Sequence, residues 1–224
     1  MDLTRLGDTF KAPEECINII GCGAIGSHLA LQLAKLGCKE FKLFDFDKVE
    51  SYNIVNQAFN ISQIGMLKTE ATKDIILSIN PEAEVTRISE NVLFEEMNLH
   101  GYVFLCPDTV SARKHVIIEN KTNFNIKGWF DCRTELFSIQ AFQFKHKSER
   151  IERFLETLNF TDKEAEANIP RSKSGCRAKI ASGITSSLGG LVLAKLFQDF
   201  VNNVDNKPFI RVSLDELVID TFEI

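Results

Sequence analysis

The chain has 224 residues, 44% of them hydrophobic and 25% charged, with a net charge of −5. That length and balance describe one folded α/β domain with an appended element, and exclude a disordered or fibrous chain. The acidic surplus argues weakly against nucleic acid or an anionic membrane as the main partner, and the six cysteines form no C-x-x-C pair, so neither a zinc ribbon nor a dithiol redox centre is readable.

The N-terminal stretch MDLTRLGDTFKAPEE has no apolar signal-peptide core, which predicts a cytoplasmic protein with its thiols reduced. Short apolar runs follow at INII (17 to 20), FKLFDF (41 to 46), EVTRI (84 to 88), YVFLC (102 to 106) and IKGWFDC (126 to 132), separated by segments of helical period. This alternation predicts an α/β, Rossmann-like doubly wound, mostly parallel sheet. In the first helix Ile25, Leu29, Leu33 and Leu36 share one face, His28, Gln32 and Lys35 lie opposite, and Gly37 closes the helix. A second helix is expected from Lys68 to Ile79, before Asn80-Pro81, and a third just after Asp108. The run ELFSIQAFQFKHK alternates apolar and polar residues and predicts an antiparallel strand extending the sheet. Residues 146 to 175 are polar and charged, with Pro170 and Gly175 as breakers, and read as a partly helical, mobile segment. A long buried helix is expected over 177 to 202. Its stretch IASGITSSLGGLVLAKLF is too rich in Ser, Thr and Gly, with Lys195, to span a membrane. One or two short terminal strands end the chain. The whole reads as a single domain, 1 to 224, with a core at 15 to 135 and the antiparallel strand, crossover, helix and terminal strands at 136 to 224.

The chemistry concentrates after the first strand. GCGAIGS is a G-x-G-x-x-G loop: Gly21 for the turn, Gly23 for close approach of a phosphate and Gly26 for helix packing. The helix that starts at Ala24 and Ile25 offers N–H groups to anionic oxygens. Asp45, at the end of the second strand, is placed to bind ribose hydroxyls. These features alone do not separate NAD from ATP.

The continuation, DFDKVESYNIVNQAF followed by IGMLKTEA, resembles the ThiF/MoeB/HesA family, prokaryotic relatives of ubiquitin-activating enzymes, with a pattern near D-x-D-x-V-x-x-x-N-x-x-R-Q and then G-x-x-K. The resemblance makes Asp45 the ribose ligand, sets Asp47 and Asn53 beside the nucleotide, and brings Lys68 to the phosphates. Asp108, in LCPDTVSARKH, matches the family's Mg²⁺-binding aspartate, and Arg113 matches a structural arginine. Where the family has Arg-Gln, this chain has Asn56-Gln57. A positive charge on the terminal phosphates is thereby lost, to be supplied by Lys68, Arg5 or a partner subunit. Asp131 and Arg133 are read either as lining a substrate channel or as a structural ion pair. Cys176, before the long helix and among Arg171, Lys173, Arg177 and Lys179, has surroundings that would lower a thiol pKa, so it is a candidate nucleophile. Cys22 is expected to be packed, and His100, His115 and His146 show no metal-ligand spacing.

The resemblance implies an ATP- and Mg²⁺-dependent adenylyltransferase that activates the C-terminal carboxylate of a small ubiquitin-like or sulfur-carrier protein, or of a peptide, as an acyl-adenylate. It also implies a homodimer. A nucleotide-binding scaffold without turnover, suggested by Asn56, and an NAD(P)-dependent oxidoreductase, which would leave Asn53, Gln57, Lys68 and Asp108 unexplained, are the alternatives.

Overall fold

The run Ile17–Ile20 forms β1, buried along its whole length. In the computed structural model it pairs in parallel with β2 (Glu40–Phe44) on one side and β4 (Gly101–Leu105) on the other. Outside these lie β3 (Glu84–Ile88) and β5 (Ile126–Thr134), both parallel to their neighbours. The structure describes residues 1–92, 97–167, 182–205 and 207–223. After β5 the chain reverses, and β6 (Ser138–Lys145), β7 (Phe209–Ser213) and β8 (Val218–Phe222) add antiparallel strands. The eight-stranded order is β3-β2-β1-β4-β5-β6-β7-β8, the mostly parallel doubly wound sheet with an antiparallel extension that the sequence predicts.

Helices cover both faces, so the central strands are apolar throughout rather than alternating. One face packs α1 (Ala24–Lys35), α2 (Lys68–Ile79) and α6 (Gly183–Val201) over Ile17, Ile19, Phe41, Leu43, Phe104 and Phe130. The other packs α3 (Val110–Asn120) and α4 (Ser148–Glu156) over Ile20, Val103, Leu105, Trp129 and Phe142. Asn18 is the polar exception inside β1. Its Nδ2 donates to the carbonyls of His100 (2.6 Å) and Tyr102 (3.0 Å), which a fully buried amide requires.

Two expectations shift, the start of the long helix and the exposure of His28, while the crossover is partly helical over its described residues 146–167 as expected. The long helix runs from Gly183 to Val201, with Ser182 as its N-cap accepting from the Thr185 amide, and residues 177–181, included in the expected span, lie outside the described residues. The charged crossover contains α4 and a short α5 (Asp162–Ala167), and α4 buries Ile151 and Phe154 against the sheet. His28, expected on a solvated face, is half-buried because α6 crosses there: a Cβ at Gly190 would come within 2.8 Å of His28 Cβ. Gly189 and Gly190 of α6 therefore serve close packing within the subunit. Among the described residues no helix is long and apolar enough to cross a membrane.

Candidate nucleotide site

Sheet order reverses between β1 and β4, and the ends of these strands leave a crevice where open α/β sheets hold ligands. The glycine loop occupies it. Gly21 has φ +89, and a Cβ there would sit 2.7 Å from the Cys106 carbonyl oxygen, so the loop can pass over the end of β4 only as glycine. A Cβ at Gly26 would collide with the Gly21 carbonyl, which fixes α1 close to the loop. Gly23 caps α1 without a side chain, leaving the first-turn amides of Ala24, Ile25 and Gly26 without intrahelical acceptors. The space over Gly23 is open; the nearest atom to a Cβ built there is Gln57 Nε2, at 4.0 Å. Gln57 Oε1 is buried with no hydrogen-bond partner. A buried amide with an unmet bond beside an open phosphate-type loop fits a polar ligand, and rotation of the amide would present nitrogen in place of oxygen.

Asp45 follows β2 and braces the loop. Its two oxygens accept from the Cys22 amide (2.7 Å) and the Asp47 amide (2.9 Å). Burial raises its pKa above the usual carboxylate value, and nearby Lys68 opposes that rise. Lys68 opens α2, where a cation meets an unfavourable helix dipole. A local antiparallel bridge between Lys48 and Leu67 delivers it, with the Lys68 amide donating to the Asp47 carbonyl (2.9 Å). Its Nζ donates to Asp47 Oδ2 at 2.7 Å. Burial alone would lower the Lys68 pKa, but Asp45, Asp47 and Asp108 together raise it, so the ammonium persists. Asp108 stands exposed between β4 and α3. Three carboxylates thus surround one ammonium. A polyphosphate would be repelled from that surplus unless a divalent cation came with it, so this donor set fits Mg²⁺ accompanying a nucleotide.

The segment after Asp47 forms a 3-10 turn at Ser51–Val55, closed reciprocally by Glu50 and Asn53; Asn53 Oδ1 accepts from the Glu50 amide (2.9 Å). Asn53 also offers its carbonyl to the Asn56 and Gln57 amides, so it shapes the turn that presents them. The Ala58 amide donates to Ser27 Oγ (3.0 Å), tying the turn to α1. A Cβ at Gly183 would strike the Val55 carbonyl and lie 3.6 Å from Asn56 Cα. Position 56 therefore adjoins the positive end of α6, where a neutral amide is easier to hold than a guanidinium. Arg5 is not near this site. Leu3 packs on Gly37, at the far end of α1, and a helix of that length spans about 18 Å.

Asp131 and Arg133 form a sealed structural cluster rather than a channel wall. Asp131, fully buried, pairs with Arg113 through Oδ1 and with Arg133 Nε through Oδ2 (2.9 Å). Arg113 also donates to the carbonyls of Leu105 (3.0 Å), Pro107 (2.5 Å) and Cys132 (3.1 Å). Arg133 reaches the Thr157 carbonyl and hydroxyl and lies over the Phe142 and Phe154 rings. Sequence reasoning also missed Asp162, whose carboxylate caps α3 by accepting from the Val110 (2.5 Å) and Ser111 (3.1 Å) amides. No local signal marks such a cap, because it comes from a distant segment. Cys22 and Cys106 are packed thiols, and burial pushes Cys106 up to about 12. Cys176 lies outside the described residues.

A glycine loop, a bracing aspartate and a lysine inside an acidic ring lie together at the switch point of a doubly wound α/β protein. The chain belongs to the ThiF family, which matches residues 8–212. It is similar to Ubiquitin-like modifier-activating enzyme 5 of Caenorhabditis elegans, 32% identical over 88 residues, which are 38% of this chain and 21% of that protein. It is also similar to Adenylyltransferase and sulfurtransferase MOCS3 of Drosophila yakuba, 33% identical over 109 residues, 46% of this chain and 24% of that protein. Among solved structures, E. coli MccB with ATP superposes with a TM-score of 0.70 at 20% identity, over 96% of this chain and 65% of MccB. The chain thus spans about a fifth to a quarter of the length of these two curated relatives.

Proposed function

We propose that this chain is an ATP- and Mg²⁺-dependent adenylyltransferase that activates a C-terminal carboxylate, carried by a small ubiquitin-like protein or a peptide. The observation that carries this reading is Lys68 held among Asp45, Asp47 and Asp108 beside the glycine loop. The names of the relatives point the same way: one is a ubiquitin-like modifier-activating enzyme, another an adenylyltransferase, and MccB has been solved with AMPCPP and MccA.

In this reading the amides of Gly23, Ala24, Ile25 and Gly26 line the phosphates, and Gln57 and Asn56 close over them. Asp45 meets the ribose, while Asn53 and Asp47 hold the surrounding loop and Lys68 in place. A carboxylate oxygen attacks the α-phosphorus, the new P–O bond forms as the bond to the bridging oxygen breaks, and pyrophosphate leaves. Lys68 stabilises the charge that builds on the phosphate oxygens. Mg²⁺ held by Asp108 would neutralise the departing phosphates. The residue range 15–135 supplies this core and 136–224 completes a single domain. Cys176 is proposed as the acyl acceptor: its thiolate sulfur attacks the carbonyl carbon of the acyl-adenylate, the C–O bond to the phosphate breaks, and AMP leaves, giving a thioester. Cys176→Ser would then abolish a hydroxylamine-sensitive thioester on the protein.

We also propose a homodimer, for which the outward apolar row of Ile184, Leu188 and Leu191 on α6, grooved against Leu214, is the candidate contact. A cytoplasmic setting is proposed from the buried free thiols.

The test is exchange of labelled pyrophosphate into ATP with Mg²⁺, against a panel of carrier proteins and peptides ending in a carboxylate. Exchange with one substrate that disappears in Asp108→Ala is expected. A second reading, a scaffold that binds ATP without turnover, is favoured by Asn56; ATP binding with no exchange across the panel, and none regained in Asn56→Arg, would select it.

A further inference from the structure

At the opposite ends of the same strands, three metal-ligating side chains converge. Cys16 immediately precedes β1, Glu40 opens β2 and His100 comes just before β4. Pairing of Ile17 with both Phe41 and Tyr102 brings these three strand starts side by side. The backbone there is fixed: the Tyr102 amide donates to the Cys16 carbonyl (2.9 Å), and Asn18 holds the His100 carbonyl (2.6 Å). Gly101, at φ +76, has a missing Cβ that would lie 2.9 Å from the Cys16 nitrogen, so only glycine lets His100 approach. The thiol sulfur, an imidazole nitrogen and a carboxylate oxygen lie within 4.8 Å of one another. His100 Nε2 and Glu40 Oε1 are 3.6 Å apart. Ligands around tetrahedral zinc, at bond lengths of about 2.0–2.3 Å, stand about 3.3–3.8 Å apart, so modest contraction would close the set.

We propose that Cys16, Glu40 and His100 bind a Zn²⁺ ion, with water as the fourth ligand. The thiolate and imidazole select a borderline-soft cation over Mg²⁺ or Ca²⁺. Cys16 is fully buried at the floor, while the Glu40 and His100 side chains are about 40% exposed, which leaves the fourth position toward solvent. Lys42, the nearby cation on β2, has its Nζ bonded to the Asn98 carbonyl (3.0 Å). The ion would clamp the starts of β1, β2 and β4, away from the nucleotide crevice. The competing arrangement is a His100–Glu40 ion pair over a packed thiol.

The experiment is titration of the metal-free full chain with Co²⁺, reading the thiolate-to-cobalt charge-transfer band, followed by competition with Zn²⁺. One equivalent should give the band, and Zn²⁺ should bleach it. Cys16→Ser should abolish it. His100→Ala and Glu40→Gln, both at half-exposed positions, should each weaken Co²⁺ binding by about tenfold or more. If Cys16→Ser does not fold, these two variants decide. Absence of the band, or a band whose titration is unchanged in His100→Ala and Glu40→Gln, overturns the site.

Discussion

Two ionic clusters lie near the carboxyl ends of the central strands, built from the same kinds of groups and finished differently. In Arg113–Asp131–Arg133 one carboxylate is enclosed by two guanidiniums, and each guanidinium finds further carbonyl, hydroxyl or aromatic partners. Around Lys68 the ratio is inverted: three carboxylates share one ammonium, and Asp47 and Asp108 face solvent. The first cluster is complete as it stands, and its role is to join α3, β5 and the end of α4. The second has charge left over, which is the condition for recruiting a cation and an anionic ligand together. Saturation therefore separates a structural ion cluster from a candidate binding one where residue type does not.

The largest effect should come from breaking the closed cluster. Asp131→Asn leaves two buried guanidiniums facing a neutral amide and should cost about 3–5 kcal/mol in urea unfolding. Pyrophosphate exchange per folded molecule should barely change; a selective loss of exchange at full stability would overturn the assignment. Lys68→Met attacks the open cluster and should show the reverse pattern. Exchange should drop about 100- to 1,000-fold, with a melting shift of only a few degrees. An intermediate effect is expected from Asn56→Arg, which adds a cation beside the loop and should tighten ATP about tenfold, measured by calorimetry. Unchanged affinity would mean that α6 keeps the new side chain away from the phosphates.

The smallest effect concerns pH. Asp45 has its native pKa raised above the ordinary 3.8, chiefly by burial. Between those two values the native chain binds more protons than the unfolded one, so this group's contribution to stability falls as pH rises through that window. Glu15 and Asp162, with lowered pKa values, act in the opposite sense. The comparison of Asp45→Asn with the parent isolates one group: the parent should lose more stability than the variant between acid and neutral pH. Parallel urea midpoints across that range would show that burial of Asp45 carries no cost.

The parallel half of the fold and its glycine loop were legible because their signals are local: apolar runs of strand length, a helix stripe, a turn that only glycine makes. The antiparallel β6 was legible from period two. What escaped the sequence depends on distant partners. The buried Ile151 and Phe154 of α4 have helical spacing, but neighbouring Glu149, Arg150, Glu152 and Arg153 mask it. His28 has polar neighbours at helical spacing, and only the arrival of α6 half-buries it. Ser182 caps α6 in the structure, but the sequence pattern of the residues before it does not set that cap apart. In the candidate site, Asp45, Asp47, Lys68 and Asp108 could be named by resemblance, yet the bracing of the loop by Asp45 needed β1 and β2 side by side. The meeting of Cys16, Glu40 and His100 is equally a product of strand pairing, with no spacing in the sequence to announce it.

The buried amide of Asn18 acts on the accuracy of assembly. Apolar side chains in β1 would tolerate a two-residue slide against β4, since the same faces would still point to the same layers. Asn18 resists it, because its Nδ2 is shared between the carbonyls of His100 and Tyr102 and a slide in either direction carries it off one of them. Losing that bond costs about 0.5–1.5 kcal/mol, which biases the choice between near-equivalent dockings at the strand pair whose far ends carry Gly21 and Asp108. A single asparagine thereby works as a proofreading contact, rejecting chains in which the glycine loop and the aspartate would be out of step.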